Sequence, residues 1–128
     1  MGRVTLLDRP YLTPIYDEPE FIVRNLWRLY AGWWDGDPAR LKPAPAAALA
    51  AELADLAGGA GRLAARAELL AERGDLALAC HLAELAAQVA PADDAVATVR
   101  ASVYARRAER ETSLMARGLY RWAADRKR

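Results

Sequence analysis

Cysteine, histidine and phenylalanine each occur once in this sequence of 128 residues. With Cys80 as the single thiol, an internal disulfide is excluded. With His81 as the single imidazole, neither a zinc finger nor a two-zinc hydrolase site can be assembled. No apolar run approaches the roughly 20 residues of a membrane span, and the first ten residues lack the apolar core of a signal peptide. We therefore expect a cytoplasmic protein without a metal or other cofactor.

A strong charge of one sign is missing as well, because the net charge is only +1. The chain as a whole therefore offers no electrostatic field for nucleic acid or for an anionic membrane. From Ala101 onward, however, the sequence contains eight basic residues and only three acidic ones. The simpler interpretation is a solvated helix end whose cations suit the negative end of the helix dipole. The alternative is a site for phosphate or for an acidic partner.

Alanine supplies much of the hydrophobic content of 54%. Alanine favours helix but buries little area per residue. A core built on alanine requires close approach of the helices. We therefore expect the leucines, the four tryptophans and the five tyrosines to supply most of the buried area.

Prolines at positions 10, 14 and 19 exclude a helix from the start of the chain. We expect residues 1–18 to form an extended, proline-rich arm and residues 19–128 to form a helical domain. The arm has too much apolar surface for a free tail, so it should pack on its own domain or on a partner. Its apolar side chains are Leu6, Leu7, Tyr11, Leu12, Ile15 and Tyr16.

Helical periodicity and breaking residues predict an all-α fold of six helices. The first begins at the acids and proline of residues 17–20, carries an apolar stripe as far as Trp33, and ends at the turn of residues 35–38. The sixth carries Met115, Leu119 and Trp122 on one stripe. No glycine or proline divides the last two helices, so their separation stays open. The second to the sixth helices are expected over residues 46–57, 61–73, 75–90, 94–107 and 109–124.

The third and fourth helices resemble a tetratricopeptide hairpin, whose repeat is about 34 residues long. Gly74 is expected in the left-handed backbone conformation, and Asp75 is expected to cap the fourth helix. The small Ala79 should lie where the two helices cross closely. A degenerate second copy begins near Asp94. We therefore expect a short stack of antiparallel helical hairpins.

Three longer blocks and one shorter one carry a resemblance to a known family. The blocks are residues 16–30, residues 32–43 with Trp–Trp–Asp–Gly–Asp–Pro, residues 111–116, and Gly74–Asp75 with residues 79–82. They resemble the dimerisation domain of alkyl sulfatases and related metallo-β-lactamase-fold hydrolases. The resemblance covers about residues 10–124. In that family the domain follows a two-zinc catalytic domain with a His-x-His-x-Asp-His motif, which is missing from this sequence. The resemblance therefore implies a non-catalytic module that homodimerises or docks on a separately encoded metallo-β-lactamase-fold hydrolase.

Surplus apolar side chains indicate where such an interface lies. The first helix is apolar on more than one side, and a small domain has only one core to offer. Large exposed apolar patches are rare on soluble monomers and usually mark interfaces. The residues predicted for a dimer interface are Phe21, Trp27, Tyr30, Trp33, Trp34, Tyr11, Leu12 and Tyr16.

A small-molecule binding protein is the alternative function. Trp27, Tyr30 and Trp33, with Arg24 and Arg28 beside them, could line a pocket for an amphiphile between helices. The two functions differ in a simple observable. A dimer whose melting does not respond to ligand favours assembly, and a monomer stabilised by long-chain amphiphiles favours binding.

Three further groups of residues have simpler structural interpretations. Cys80 and His81 point about 100° apart on a helix and cannot easily share one metal, so a packed or interfacial histidine is expected. Asp35 and Asp37, beside glycine and proline, suit an Asx turn better than a cation site. The glycines at 58, 59 and 61 suit a corner between helices, because the lysine of a phosphate loop is missing.

The histidine content generates the first testable prediction. The purified protein should release no sulfate from an alkyl sulfate, because a single histidine cannot supply the ligands of a two-zinc site. Elemental analysis of the same preparation should find no stoichiometric zinc. Two bound zinc ions per chain would contradict this prediction.

Overall fold

The computed structural model describes residues 9–126, so Leu6 and Leu7 of the arm and the last two basic residues lie outside the described residues. Within this range the regular structure is helical and contains no strand, which confirms the all-α fold. Two one-turn 3₁₀ helices cover Pro10–Leu12 and Pro38–Arg40. The α-helices are α1 (Pro19–Ala31), α2 (Ala46–Ala57), α3 (Ala60–Glu72), α4 (Leu76–Val89), α5 (Asp94–Arg110) and α6 (Leu114–Asp125).

The first helix begins where the sequence predicts and ends earlier. Pro19 occupies its first turn, where the missing N–H of proline has no intrahelical partner to lose. Gly32 follows the helix at φ +84° and ψ −162°, a backbone conformation that side chains of other residues rarely allow. The prediction of a helical stripe as far as Trp33 is therefore wrong. Trp33 and Trp34 lie in the connection beyond α1.

The α3–α4 hairpin is closed by the predicted glycine turn. Gly74 has φ +89°, which confirms the left-handed conformation. Its N–H donates to the carbonyl of Ala71 at 3.2 Å, and the N–H of Asp75 donates to the carbonyl of Leu70 at 2.9 Å. Asp75 occupies the N-cap position of α4 without a side-chain hydrogen bond, so the prediction that it caps this helix is wrong. The N–H of Leu76 already donates to the carbonyl of Gly74.

The last two helices are separate, a point that the sequence leaves open. The fifth continues to Arg110 and the sixth begins only at Leu114, so the predicted start at residue 109 is wrong. Ser113 is fully buried at the N-cap of α6, and its Oγ accepts a hydrogen bond from the N–H of Ala116 at 3.2 Å. A serine cap ends one helix and starts the next without the glycine or proline that a sequence search looks for.

Alanine fills the interior of the helix stack. The α3–α4 hairpin packs against α5, while α2 packs mainly on α4 and α6 packs on α5. Leu63, Leu70 and Leu76 are buried as expected, but the expectation is wrong for tryptophan and tyrosine, because no aromatic residue of the described chain is buried. Helices that approach closely leave room for a methyl group but not for an indole ring. The residues with 2% or less of their surface exposed are Ala50, Ala54, Ala67, Ala79, Ala83, Ala86, Val96, Val103, Ala108 and Ser113.

The sixth helix leaves several large side chains exposed, although Met115 of the predicted stripe and Tyr120 are half-buried. Ala116 and Ala123 are its buried residues, while Leu119 and Trp122 of the predicted stripe are each 58% exposed. On α6 the spacing of the apolar residues therefore does not identify the buried side, although on α3 it does, where Leu63, Ala67 and Leu70 are buried.

A buried arginine ties α6 to the hairpin. Arg100 of α5 is 7% exposed, and its Nε and Nη2 lie 2.7 and 2.6 Å from Oε1 of Glu84 in α4. Its Nη1 donates to the carbonyl of Ala123 in α6 at 2.7 Å. Charge-assisted hydrogen bonds of this kind fix geometry, and loss of one partner of a buried pair leaves an uncompensated charge. The contact holds three helices in one arrangement.

Within residues 9–126, no helix has the length and apolar character needed to cross a lipid bilayer. The cytoplasmic location and the likeness to a tetratricopeptide hairpin stay predictions.

The alanine-lined crossing leads to a stability prediction. Ala79 is 0% exposed in the cluster shared by α3, α4 and α5. Ala79→Leu should therefore lower the free energy of unfolding by about 1–3 kcal/mol through overpacking. Ala65→Leu, at an exposed position of α3, serves as the control and should change it by less than about 0.5 kcal/mol. Equal urea midpoints for the two variants would show that the helices do not cross closely at Ala79.

Candidate functional site

The first helix presents its apolar side away from the rest of the chain. Its charged side, with Glu20 and Arg24, lines a cavity of about 570 Å³ together with Phe21 and residues of α4, α5 and α6. At 100° per residue the side opposite Glu20 and Arg24 carries Ile22, Leu26 and Leu29, whereas Trp27, seven residues after Glu20, lies on the charged side. No residue of α1 is buried, and no Cα atom of α1 lies within 8 Å of another α-helix. The exposed large apolar residues of α1 are Ile22, Val23, Leu26, Trp27, Leu29 and Tyr30, with exposed fractions between 49% and 84%.

The arm is attached to α6 through its backbone. The carbonyls of Ile15 and Tyr16 accept hydrogen bonds from the N–H groups of Leu114 and Met115 at 2.7 and 3.1 Å. The hydroxyl of Ser113 donates to the carbonyl of Tyr16 at 3.0 Å. The first N–H groups of a helix have no partner within the helix, and here the arm supplies the missing acceptors. Anchored next to α6, the arm fixes the point from which α1 starts.

The side chains of the arm remain exposed although its backbone is bound. Tyr11, Leu12, Ile15 and Tyr16 all lie on the surface of the single chain. The expectation of a fully extended arm is wrong at Pro10–Leu12, where the N–H of Leu12 donates to the carbonyl of Arg9 and closes a 3₁₀ turn. A proline at the first position of such a turn costs no hydrogen bond.

A tightly bonded turn follows α1. The N–H of Asp37 donates to Oδ1 of Asp35 at 3.1 Å, and the N–H of Ala39 donates to Oδ1 of Asp37 at 3.0 Å, which confirms Asx turns at both aspartates. The hydrogen bond from Asp37 lowers the pKa of Asp35, and the ion pair with Arg40 at 2.7 Å adds to this effect. The indole N–H of Trp34 donates to the carbonyl of Asp37 at 2.8 Å. Both carboxylates therefore serve the turn.

Cys80 and His81 line the cavity beside α1. Burial raises the pKa of the Cys80 thiol, so little of the nucleophilic thiolate is present near neutral pH. Burial and the carboxylate of Glu84 also raise the pKa of Tyr104 in the same cavity. Among residues 9–126, no group of three or more His, Cys, Asp or Glu side chains has the arrangement of a metal site. The cavity thus combines polar side chains without an activated nucleophile.

The side chains predicted for an amphiphile pocket lie on the surface. Trp27, Tyr30 and Trp33 do not line the cavity beside α1, nor a second cavity of about 710 Å³ between the ends of α4, α5 and α6. Arg28 is likewise exposed, and Arg24 is the single member of the predicted set that lines the cavity beside α1. The amphiphile pocket stays a prediction, and neither cavity has the aromatic lining that it requires.

Comparison with known proteins gives the chain its family. Residues 4–128 match the family described as alkyl sulfatase dimerisation. The chain belongs to this family. A linear primary-alkylsulfatase of Pseudomonas sp. (strain ATCC 19151) is 32% identical over 97 residues, which make up 76% of this chain and 18% of that protein. The chain thus spans less than a fifth of the length of this relative.

The family match confirms the resemblance carried by the sequence blocks. The structure adds three features that those blocks do not reveal. One is the buried serine that joins the arm to α6, and another is the use of the arm's carbonyls as helix caps. The third is the outward direction of the large side chains on α2 and α6, which the helical spacing of apolar residues cannot distinguish from an inward one.

The buried serine gives a prediction for this attachment. Ser113→Ala removes both the cap of α6 and the hydrogen bond to Tyr16, so the free energy of unfolding should fall by about 1–2 kcal/mol. Hydrogen exchange at the amides of Leu114 and Met115 should become faster. Ser102→Ala, within α5, is the control and should not reduce stability, because alanine is the better helix former. An unchanged exchange rate at both amides would contradict the proposed attachment.

Proposed function

We propose that this chain is a non-catalytic module that forms a homodimer through α1, the arm and the aromatic connection after α1. The outward apolar face of α1 carries the proposal. A helix of 13 residues without a single buried residue has too little packing to be stable by itself in water. Its apolar face needs a surface to cover it, and no other helix of residues 9–126 packs on it in the single chain.

A second copy is the partner that this surface fits best. Two copies related by a two-fold axis bring the same apolar faces together, so the contact is complementary to itself. The dimerisation role for which the family is described points to the same conclusion.

Docking on a separate metallo-β-lactamase-fold hydrolase is the other use that this surface allows. It would cover the same apolar face with a catalytic chain in place of a second copy. We propose in either case that the chain has no hydrolytic activity by itself. Its aspartates at 35 and 37 are engaged in turns, and its one thiol has a raised pKa.

Sedimentation equilibrium tests the proposal on the unmodified chain. We expect about twice the chain mass at micromolar concentration. Trp27→Ala removes a large exposed side chain of α1 and should raise the dimer dissociation constant by about 30-fold or more, because buried tryptophans at interfaces contribute 2 kcal/mol or more. Trp27 is 60% exposed in the single chain and belongs to neither buried core cluster, so the helix content of the variant should not change.

Leu69→Ala provides the matched control. Leu69 is a half-exposed leucine of α3, outside the arm, α1 and the aromatic connection, and its loss should change the dissociation constant by less than about threefold. A monomeric mass for the unmodified protein would contradict homodimerisation. Stabilisation of that monomer by a long-chain amphiphile would favour the binding function, and docking on a hydrolase would require a complex with the separate catalytic chain.

A further inference from the structure

The cavity beside α1 separates this helix from the rest of the domain. Phe21 of α1 lines it together with Ala77 of α4 and Ala116 of α6. No Cα atom of α1 comes within 8 Å of another α-helix, so open space remains between α1 and the other helices. The volume of about 570 Å³ lies within the range of about 300–1,000 Å³ that is typical of small-molecule sites.

The charges that line this cavity do not balance. Its lining contains four carboxylates but only two arginines, Arg24 and Arg107. Three of the carboxylates have an arginine partner, and the ion pairs are Glu20–Arg24, Glu84–Arg100 and Glu111–Arg107. The fourth carboxylate, Glu18, forms no ion pair within residues 9–126. One negative charge beside the cavity is therefore uncompensated.

The side chain of Glu18 has no structural partner that explains its position. Its Oε1 is buried and has no hydrogen-bond partner among the described residues. Its backbone carbonyl accepts a hydrogen bond from the N–H of Phe21 at 3.0 Å, but its side chain does not cap α1. A buried polar atom without a partner costs free energy, so such an atom indicates a missing donor.

One other atom of the cavity lining, Nε of Arg107, is also buried without a hydrogen bond of good geometry. This Nε lies 2.7 Å from Oε1 of Glu111, so its charge is compensated within the chain. The imidazole of His81 lines the cavity as well, but it supplies no donor to Oε1 of Glu18. The missing partner of the cavity is therefore a cationic donor beside Glu18.

We propose that the cavity binds a small organic ammonium ion. The ammonium group donates to the carboxylate of Glu18, and the apolar substituent packs against Phe21, Ala77 and Ala116. An ammonium group carries three N–H donors, and a hydrogen bond between two charged groups is about twice as strong as a neutral one. An anion would meet a lining with more acids than arginines, and no group of metal-binding side chains occurs among residues 9–126. The site lies within one chain, so it does not depend on the proposed homodimer.

Isothermal titration calorimetry of the full chain with n-hexylammonium chloride tests this site. We expect one n-hexylammonium ion per chain with a dissociation constant of about 1 mM or lower, a value within reach of a ligand of this size. The neutral n-hexanol and the anionic n-hexanoate have the same apolar chain and should bind at least about tenfold more weakly, because neither supplies a positive charge. Equal affinity for the three probes, or no binding of n-hexylammonium, would overturn the proposal.

Glu18→Gln removes the charge at nearly constant shape. This variant should bind n-hexylammonium at least about tenfold more weakly, whereas Glu68→Gln, at an exposed acid of α3, should stay within about twofold of the unmodified protein. The thermal midpoint of the ligand-free Glu18→Gln variant should not fall, because the carboxylate has no bond to lose. A lower midpoint with unchanged affinity would show that Glu18 has a purely structural role, which contradicts the site.

Ala77→Leu tests the position of the ligand independently of charge. Ala77 is exposed in the single chain and lines the cavity, so a leucine side chain here should occupy the ligand space and weaken binding by about tenfold without lowering the thermal midpoint. Ala65→Leu, the same change at an exposed position of α3, is the control and should leave the affinity unchanged. Equal affinities of the Ala77→Leu variant and the unmodified chain would place the amine outside this cavity and overturn the assignment.

Discussion

The close approach of alanine-lined helices is the constraint from which the rest of this structure follows. Ala67, Ala79, Ala83 and Ala86 are almost completely buried, and the backbones around them lie too close together for larger side chains. Burial of a methyl group stabilises far less than burial of a leucine or tryptophan. The interior of the single chain therefore uses little of the apolar area that the sequence contains, and the remainder stays on the outside of α1, α2 and α6.

Polar contacts fix the relative positions of the helices and the arm, which this small core alone does not. Arg100 joins α4, α5 and α6 through its bonds to Glu84 and to the carbonyl of Ala123. Ser113 joins α6 to the arm. In the basic C-terminal part of the chain, Arg107 likewise forms an ion pair with Glu111 at 2.7 Å. These bonds hold the outward surfaces in a fixed arrangement, which lowers the entropic cost of binding a partner.

The match to a segment of a longer enzyme is consistent with a small core and a large exposed apolar surface. A linear primary-alkylsulfatase contains a matching segment in 18% of its length. A module with a small interior and large outward surfaces suits such a setting, because the apolar area that its own core does not bury is available for contacts between subunits. The small core and the large apolar surface thus have one cause, the close approach of the alanine-lined helices.

The sequence by itself determined the helical class, the positions of most helices and the family, because alanine-rich periodicity and the turns at Gly74 and at residues 35–38 are local signals. It also located the surplus of aromatic residues around Trp27 and Tyr30. The sequence placed Ala79 at the buried crossing of α3 and α4, but which side of α2 and α6 is buried was decided only by the tertiary structure, since a row of leucines has the same spacing whether it faces a core or a partner. The separation of α5 from α6 depended likewise on Ser113 and on carbonyls almost 100 residues away in the chain. Contacts between residues so distant in sequence leave no periodic pattern, so the sequence could not reveal them.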